Sequence, residues 1–230
     1  QALTDRQVAV SIERKRAGAV LGTNGGGTGD AVAFFDKAAA NQKYHSIVAT
    51  KYGLVAALLR AKDYTREKSV LAELDASGPS HPMIDAIAGH VMMESGDLDG
   101  AINRFKAALA LYPNKKQLIY DYPQALLLAG RAREASAFAE APFQRFADDG
   151  PLHQIAARAY AAQDMELQQH LHQGEFYVWQ GNLRNAITQY ELASKVKNPD
   201  FYNASVIDTR LRGLRKEYAE QQKESPRTEG

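Results

Sequence analysis

The histidine and acidic side chains are the residues of this sequence best suited to catalysis or metal binding. There are six His and no Cys, so thiolate ligands are excluded. Glu166 with His170, and His172 with Glu175, are spaced to share a helix face. No spacing supplies a third or fourth ligand. We therefore predict no metal site and no catalytic residue in this chain, and we expect the histidines to have surface or capping roles.

A second candidate is the glycine-rich stretch Gly22–Gly29, GTNGGGTG, which invites comparison with a phosphate-binding loop. Such a loop follows a strand and ends in Gly-Lys-Ser/Thr. Here a helix-like segment, Leu3 to Leu21, precedes the glycines and no Lys follows them. The pattern therefore predicts a plain connection and no nucleotide site.

The stretch from Pro82 to Asn114 has the residue pattern of a tetratricopeptide repeat, a helix–turn–helix unit of about 34 residues. Gly96 is placed to end the first helix in a left-handed conformation. Pro113 ends the second helix because it cannot continue a helix interior. The other matching positions predict close helix packing: Gly89, Leu98, Ala101, Phe105 and Ala108.

The spacing recurs along the chain with a period of 34 residues. The predicted helix-crossing residues are Ala33, Glu67, Ala101 and Ala135. The predicted turn residues are Lys62, Gly96 and Gly130. After Pro151 the phase changes, since the next crossing residue is Ala186, so we predict an extra helix from about Leu152 to Ala162.

These patterns predict an all-α fold, a tetratricopeptide-repeat superhelix: a right-handed solenoid of antiparallel helix pairs with a C-terminal capping helix. We divide the chain into an N-terminal helix and Gly-rich connection (1–29), repeats with one extra helix (30–199), the capping helix (200–218) and a disordered tail (219–230). The capping helix carries Val206, Ile207, Leu211 and Leu214.

Charge and hydropathy narrow the possible partners. With a net charge of +1, the chain has no global field that would favour nucleic acid. No apolar run reaches the ~18 residues of a membrane span. Because it starts at Gln1 without an initiator Met, we expect a domain taken from a longer protein.

Several segments resemble the C-terminal repeat domain of bacterial periplasmic HExxH zinc metallopeptidases of the β-barrel assembly-enhancing protease type. They are Tyr52–Arg60 (YGLVAALLR), Ala125–Gly130 (ALLLAG), Trp179–Leu183 (WQGNL) and Asp200–Arg215 (DFYNASVIDTRLRGLR). The last is the most specific, and the resemblance covers roughly residues 11 to 215.

The resemblance implies a non-catalytic half of such a peptidase. This sequence contains no HExxH, the motif that binds zinc and supplies the general base, so zinc is expected in a linked protease domain and no cofactor in this chain. The resemblance further implies a periplasmic location, gating of that protease domain, and engagement of outer-membrane β-barrel assembly components.

Repeat arrays commonly bind partners on the surface lined by the first helix of each unit. By repeat geometry, we predict that the following residues line this groove: Tyr52, Arg60, His90, Met93, Glu94, Tyr120, Gln124 and Glu175. The resulting hypothesis is a protein–protein interaction domain that gates a zinc metalloprotease. The alternative is a free-standing adaptor that binds a peptide or lipoprotein and has no protease.

Overall fold

The computed structural model describes residues 28–40, 47–76, 81–197 and 200–224. Three predicted features lie wholly or largely outside these ranges: the helix from Leu3 to Leu21, most of the Gly22–Gly29 stretch, and the end of the tail at residues 225–230. The described residues form eleven helices and no strand, which confirms the all-α tetratricopeptide-repeat class.

The helices follow one another through short connections. In chain order they are α1 Thr28–Ala40, α2 Ile47–Ala61, α3 Tyr64–Asp75, α4 Pro82–Glu94, α5 Leu98–Leu111, α6 Lys116–Leu128, α7 Ala132–Phe143, α8 Gly150–Ala161, α9 Glu166–Trp179, α10 Leu183–Lys195 and α11 Phe201–Glu224. The chain divides into two compact units, Gln1–Tyr122 and Pro123–Gly230, called unit 1 and unit 2 below. No helix among the residues described is both long and apolar enough to cross a bilayer.

The turns inside the helix pairs repeat the same backbone conformation. Lys62, Gly96, Gly130 and Asp164 have φ values of 58°, 83°, 72° and 56° and follow one another at intervals of 34 residues. A left-handed residue ends the first helix of each pair and directs the chain into the second. The predicted role of Gly96 is therefore confirmed, and Lys62 and Asp164 adopt the same conformation despite carrying a Cβ.

The period continues further than the sequence suggested. Because Asp164 keeps the 34-residue interval, α8 and α9 form a pair in phase with the preceding repeats. The next left-handed turn, Gly181 with φ 70°, comes only 17 residues later. The extra helix predicted after Pro151 is present as α8, and the half-period shift lies at α9, which packs against both α8 and α10.

Small residues allow the paired helices to approach closely. A Cβ built at Gly89 of α4 would overlap the ring of Phe105 in α5, and Ala101 and Ala108, spaced to share the helix face of Phe105, are buried. A Cβ at Gly174 of α9 would similarly overlap Tyr190 of α10. These contacts confirm the predicted packing roles of Gly89, Ala101, Phe105 and Ala108.

The second helix of a pair commonly begins at a side-chain cap. Asp97 Oδ1 accepts a hydrogen bond of 3.0 Å from the backbone N–H of Gly100, which satisfies one donor that the helix start leaves unpaired. The same arrangement occurs at Asp63 and Asn182. The turn that ends one helix therefore also starts the next.

The predicted capping helix is present in unit 2 as α11. Ile207, Leu211 and Leu214 are buried in a cluster that includes Leu183 and Tyr190 of α10. The helix continues to Glu224, six residues beyond its predicted end at 218, so residues 219–224 are helical and not a disordered tail. At the other end of the predicted repeats, α1 begins at Thr28, two residues before the predicted boundary at 30.

Candidate partner-binding site

The first helices of successive repeats in unit 1 line one pocket. Residues of α2 and α4 form most of its lining, and Lys115 and Gln117, at the start of α6, complete it. The pocket has a volume of about 240 Å³. An apolar cavity of roughly 150 Å³ is large enough to hold benzene, so this pocket has room for a large apolar side chain. Its lining residues are Tyr52, Ala56, Leu59, Arg60, Met83, Ala86, Ile87, His90, Lys115 and Gln117.

The lining residues occupy equivalent positions in different repeats. Tyr52 and Ala86 are 34 residues apart, as are Ala56 and His90. Along α4 the lining positions are 83, 86, 87 and 90, the spacing of one helix face. The repeat therefore builds the pocket by presenting the same face of each first helix to the same side.

The pocket carries basic groups but has a mostly apolar floor. Met83, Ala86 and Ile87 are each at most 6% exposed and supply the floor. Arg60 lies in the last turn of α2, whereas Lys115 precedes the first residue of α6.

The third basic group, His90, is held by a buried carboxylate. His90 Nε2 lies 3.1 Å from Asp121 Oδ2, and the Asp121 side chain is 2% exposed. Gln117 Nε2 donates to both oxygens of the same carboxylate, at 2.8 and 2.9 Å. The position equivalent to Asp121 in the preceding repeat is Ile87, so the carboxylate is specific to α6, where it joins α6 to α4.

The predicted groove residues lie in several environments. Tyr52, Arg60 and His90 line the pocket. In the rest of unit 1, Met93 and Glu94 are at the C-terminal end of α4, Met93 half-buried and Glu94 exposed, and Tyr120 is half-buried on α6. Partner binding by any of these side chains stays a prediction.

The remaining two predicted residues belong to unit 2. Gln124 is half-buried in α6. Glu175 accepts hydrogen bonds from Arg210 Nε at 2.7 Å, from Arg210 Nη2 and from the Tyr190 hydroxyl. Although burial acts to raise it, these hydrogen bonds hold the pKa of Glu175 below its ordinary value. Both oxygens of Glu175 therefore stabilise the contact of α9 with α10 and α11, and partner binding by Gln124 or Glu175 stays a prediction.

A carboxylate occupies a helix crossing in unit 1. Glu67 is fully buried on α3, and neither of its oxygens has a hydrogen-bond partner. Burial, with a smaller contribution from the charge of Glu94, raises the pKa of Glu67 to about 7. The sequence showed that Glu67 replaces the small residue of the other repeats, but only the structure shows that its carboxyl group is isolated from water.

Two histidines of unit 2 have roles that the sequence did not predict. His153 Nε2–H donates to the carbonyl oxygen of Ala147 at 2.8 Å, which leaves His153 Nδ1 as the acceptor for His172 Nδ1–H at 2.9 Å. The His172 ring is stacked between Phe143 and Tyr160, with ring centroids at 5.1 and 5.4 Å. Burial, followed by the neighbouring His153, lowers the pKa of His172 to about 4.

This cluster corrects the expectation that the histidines have only surface or capping roles. His153 and His172 pack within an aromatic core, whereas His81 does cap a helix, its Nδ1 accepting from the backbone N–H of Met83 at 3.3 Å. No group of three or more metal-ligating side chains occurs in the part of the chain that the structure describes.

Comparison with known proteins supports the repeat architecture. Residues 92–159 match the model of a tetratricopeptide repeat family. The solved structure "MamA MSR-1 C2" aligns with a TM-score of 0.53 and 16% identity, covering 81% of this chain and 98% of that chain. "MamA RS-1 ArsTM double mutant" aligns with a TM-score of 0.51 and 16% identity, covering 84% of this chain and 98% of that chain. At this identity the likeness shows the fold alone, and no curated protein sequence matches the chain.

Proposed function

We propose that this chain is the partner-binding domain of a larger assembly and that it engages a protein segment in the pocket of unit 1. The tetratricopeptide repeat is a protein–protein interaction module. The observation that carries the proposal is that α2, α4 and the start of α6 direct equivalent positions into one pocket with an apolar floor. A pocket of this kind favours a protein ligand because buried apolar anchors provide most interface affinity.

The pocket can be tested by replacing two alanines, one inside it and one outside it, by phenylalanine. Ala56→Phe fills the pocket from α2, whereas Ala107→Phe adds the same side chain to an exposed position on the second helix α5. Capture of envelope proteins by the full chain, measured by quantitative mass spectrometry, should fall with Ala56→Phe and persist with Ala107→Phe. Equal capture by both folded variants would refute the proposed surface. If Ala56→Phe does not fold, Arg60→Ala replaces it, because the Arg60 side chain is exposed.

We further propose that the assembly is a periplasmic zinc metalloprotease whose linked catalytic domain this chain gates, and that its partners include outer-membrane β-barrel assembly components. This proposal is supported by the resemblance of the segments Tyr52–Arg60 and Asp200–Arg215 described above. Zinc then belongs to the linked domain, where HExxH supplies two ligands and the general base.

The protease proposal has a direct test against the adaptor alternative. An HExxH motif in the same reading frame, together with casein cleavage that changes when Ala56→Phe is introduced, would support gating. A signal peptide that leads straight into Gln1 would instead support a free-standing periplasmic adaptor. In both cases the pocket of unit 1 remains the proposed binding surface, so its own test is independent of this one.

A further inference from the structure

A buried carboxylate holds two of the side chains that line the pocket of unit 1. The Asp121 side chain is 2% exposed and is not itself part of the lining. His90 Nε2 lies 3.1 Å from its Oδ2, and Gln117 Nε2 donates to both of its oxygens. His90 belongs to α4 and Gln117 to α6, and both line the pocket. Asp121 therefore fixes the orientation of lining side chains on two different helices.

The charge of Asp121 has one cationic partner. A carboxylate that is removed from water needs a counter-charge, because it has lost its favourable interaction with water. Among the contacts of the described residues, the one basic group within salt-bridge distance of Asp121 is His90. The Gln117 amide is neutral, so it stabilises the carboxylate by hydrogen bonding without balancing its charge. The charge is therefore balanced only when His90 is protonated.

Other titratable side chains surround this pair. Those that line the pocket, or that interact with residues of α4, are Tyr52 and Arg60 of α2, Glu67 of α3, Arg104 of α5 and Lys115, together with Asp85 and Glu94 of α4 itself. Arg104 and Asp85 pair with each other. Arg60 and Lys115 act against a positive charge on His90, but both have partners of their own within the chain. The direct contact with Asp121 outweighs them, because charges interact most strongly at short range and away from water.

A ligand in the pocket would strengthen the dependence of Asp121 on a protonated His90. The His90 side chain is 37% exposed in the free chain, so water still screens the pair. An apolar side chain seated over Met83 and Ile87 displaces this water and leaves the Asp121 charge balanced by the imidazolium alone. Binding is therefore more favourable when His90 is protonated, and by reciprocity binding favours proton uptake.

We infer that Asp121 is a positioning residue of the pocket and that it couples ligand binding to the protonation of His90. The imidazolium–carboxylate pair joins α4 to α6 around the ligand, whereas a neutral imidazole leaves a buried charge unbalanced. The pocket of unit 1 therefore binds more tightly as pH falls through the titration of His90. The inference rests on the proposed function and adds the regulation of the site to it.

The test uses the full chain and a peptide pool without titratable groups. The peptides are acetylated and amidated at their ends, carry Leu, Met, Phe or Trp at the centre and only Gly, Ser, Asn and Gln elsewhere, and bear a dye that does not titrate between pH 5.5 and pH 8. Affinity should rise at least about fivefold from pH 8 to pH 6, because a charge-assisted hydrogen bond is roughly twice as strong as a neutral one. Calorimetry in buffers of different ionisation enthalpy should show net proton uptake on binding.

Two substitutions locate the coupling. Asp121→Asn keeps the shape of the side chain and removes its charge, and His90→Gln removes the titrating ring, so each should abolish the rise in affinity between pH 8 and pH 6. The controls are Lys106→Gln, which removes a cation at an exposed position of α5, and His170→Gln, which removes a histidine of unit 2. Both controls should keep the pH dependence of the wild type.

NMR titration of the His90 ring protons tests the pair without a ligand. The midpoint should lie at lower pH in Asp121→Asn than in the wild type, because the anion that favours the imidazolium is gone. An unchanged midpoint in the folded variant would overturn the inference. If Asp121→Asn does not fold, His90→Gln carries the binding test, since the ring it removes is partly exposed.

The binding outcomes separate this inference from the function beneath it. Equal affinity at pH 6 and pH 8, abolished by Ala56→Phe, would overturn the coupling and leave the pocket as a binding site. A pH-dependent affinity that persists in Asp121→Asn and in His90→Gln would likewise overturn the coupling alone. Absence of binding at both pH values would overturn the proposed function, and the inference with it.

Discussion

Replacing the buried carboxyl group of Glu67 by a thioether should stabilise the protein in a pH-dependent way. Met has a similar length and no charge, so Glu67→Met keeps the volume at the crossing of α3 and removes two oxygens without hydrogen-bond partners. The pKa of Glu67 is raised from 4.5 to about 7 on folding. A raised pKa means that the folded state favours the protonated acid, so stability falls as pH rises through the interval between these values.

The magnitude follows from that interval. A difference of about 2.5 pKa units, at 1.36 kcal/mol per unit, amounts to about 3 kcal/mol. The free energy of unfolding of Glu67→Met minus that of the wild type should therefore increase by about 3 kcal/mol between pH 4.5 and pH 8, with most of the change complete at pH 7. Because it is a difference, titrations common to both proteins cancel.

The assay is urea denaturation followed by circular dichroism at several pH values across this interval. The matched control is Glu73→Met on the same helix, whose side chain is 59% exposed and pairs with Lys51 at the surface. Such a pair contributes at most about 1 kcal/mol, so this control should show only a small effect. A stability difference between Glu67→Met and the wild type that stays constant from pH 4.5 to pH 8 would refute the isolated, buried carboxyl group.

Four further substitutions test the turns, the close packing of paired helices and the capping helix. Lys62→Gly should raise the free energy of unfolding by about 0.5–1 kcal/mol in chemical denaturation, because a left-handed residue with a Cβ is strained. Asp164→Gly should raise it by less, since Asp tolerates this conformation. Gly89→Val should lower it by at least about 2 kcal/mol, since its side chain would overlap an aromatic ring, and an unchanged melt would place α5 farther away. Arg210→Met should lower the free energy of unfolding by about 2 kcal/mol at pH 7 and by less toward pH 3, because Glu175 then loses the partner that lowers its pKa. A loss of stability that does not change with pH would contradict this explanation.

Much of the repeat architecture was predictable because it depends on local backbone requirements. A left-handed turn favours Gly, so Gly96 and Gly130 identify their turns in the sequence. Lys62 could be placed only through the 34-residue interval, and Asp164 was missed because its side chain gives no comparable signal.

The candidate site was harder to predict because it depends on contacts between distant segments. The face of a first helix can be derived from periodicity, which places Tyr52, Arg60 and His90 at the pocket. Glu175 satisfies the same periodicity, but Arg210, 35 residues away in the sequence, occupies its carboxylate. Periodicity identifies the side of a helix, whereas the three-dimensional contacts decide whether that side meets solvent or another helix.

Three-dimensional contacts, which periodicity does not show, also decide which residues can serve as controls. Arg104 has the spacing of a residue on the second-helix face and would serve as a charged control by sequence alone. In the structure its guanidinium joins Asp75 and Asp85, so changing it would leave two carboxylates without this partner. Exposed Lys106 and Ala107 on the same helix avoid that loss and are therefore the better controls.

Site-specific photo-crosslinking tests most directly whether partners bind along the first helices of unit 1. A benzophenone amino acid placed at Leu59, which lines the pocket, should crosslink to a partner protein in living cells, and Ala56→Phe should abolish that product. The same amino acid placed at Ala107, on the second-helix face, should give no such product. Equal crosslinking from both positions, or crosslinking from Ala107 alone, would contradict the proposed binding surface.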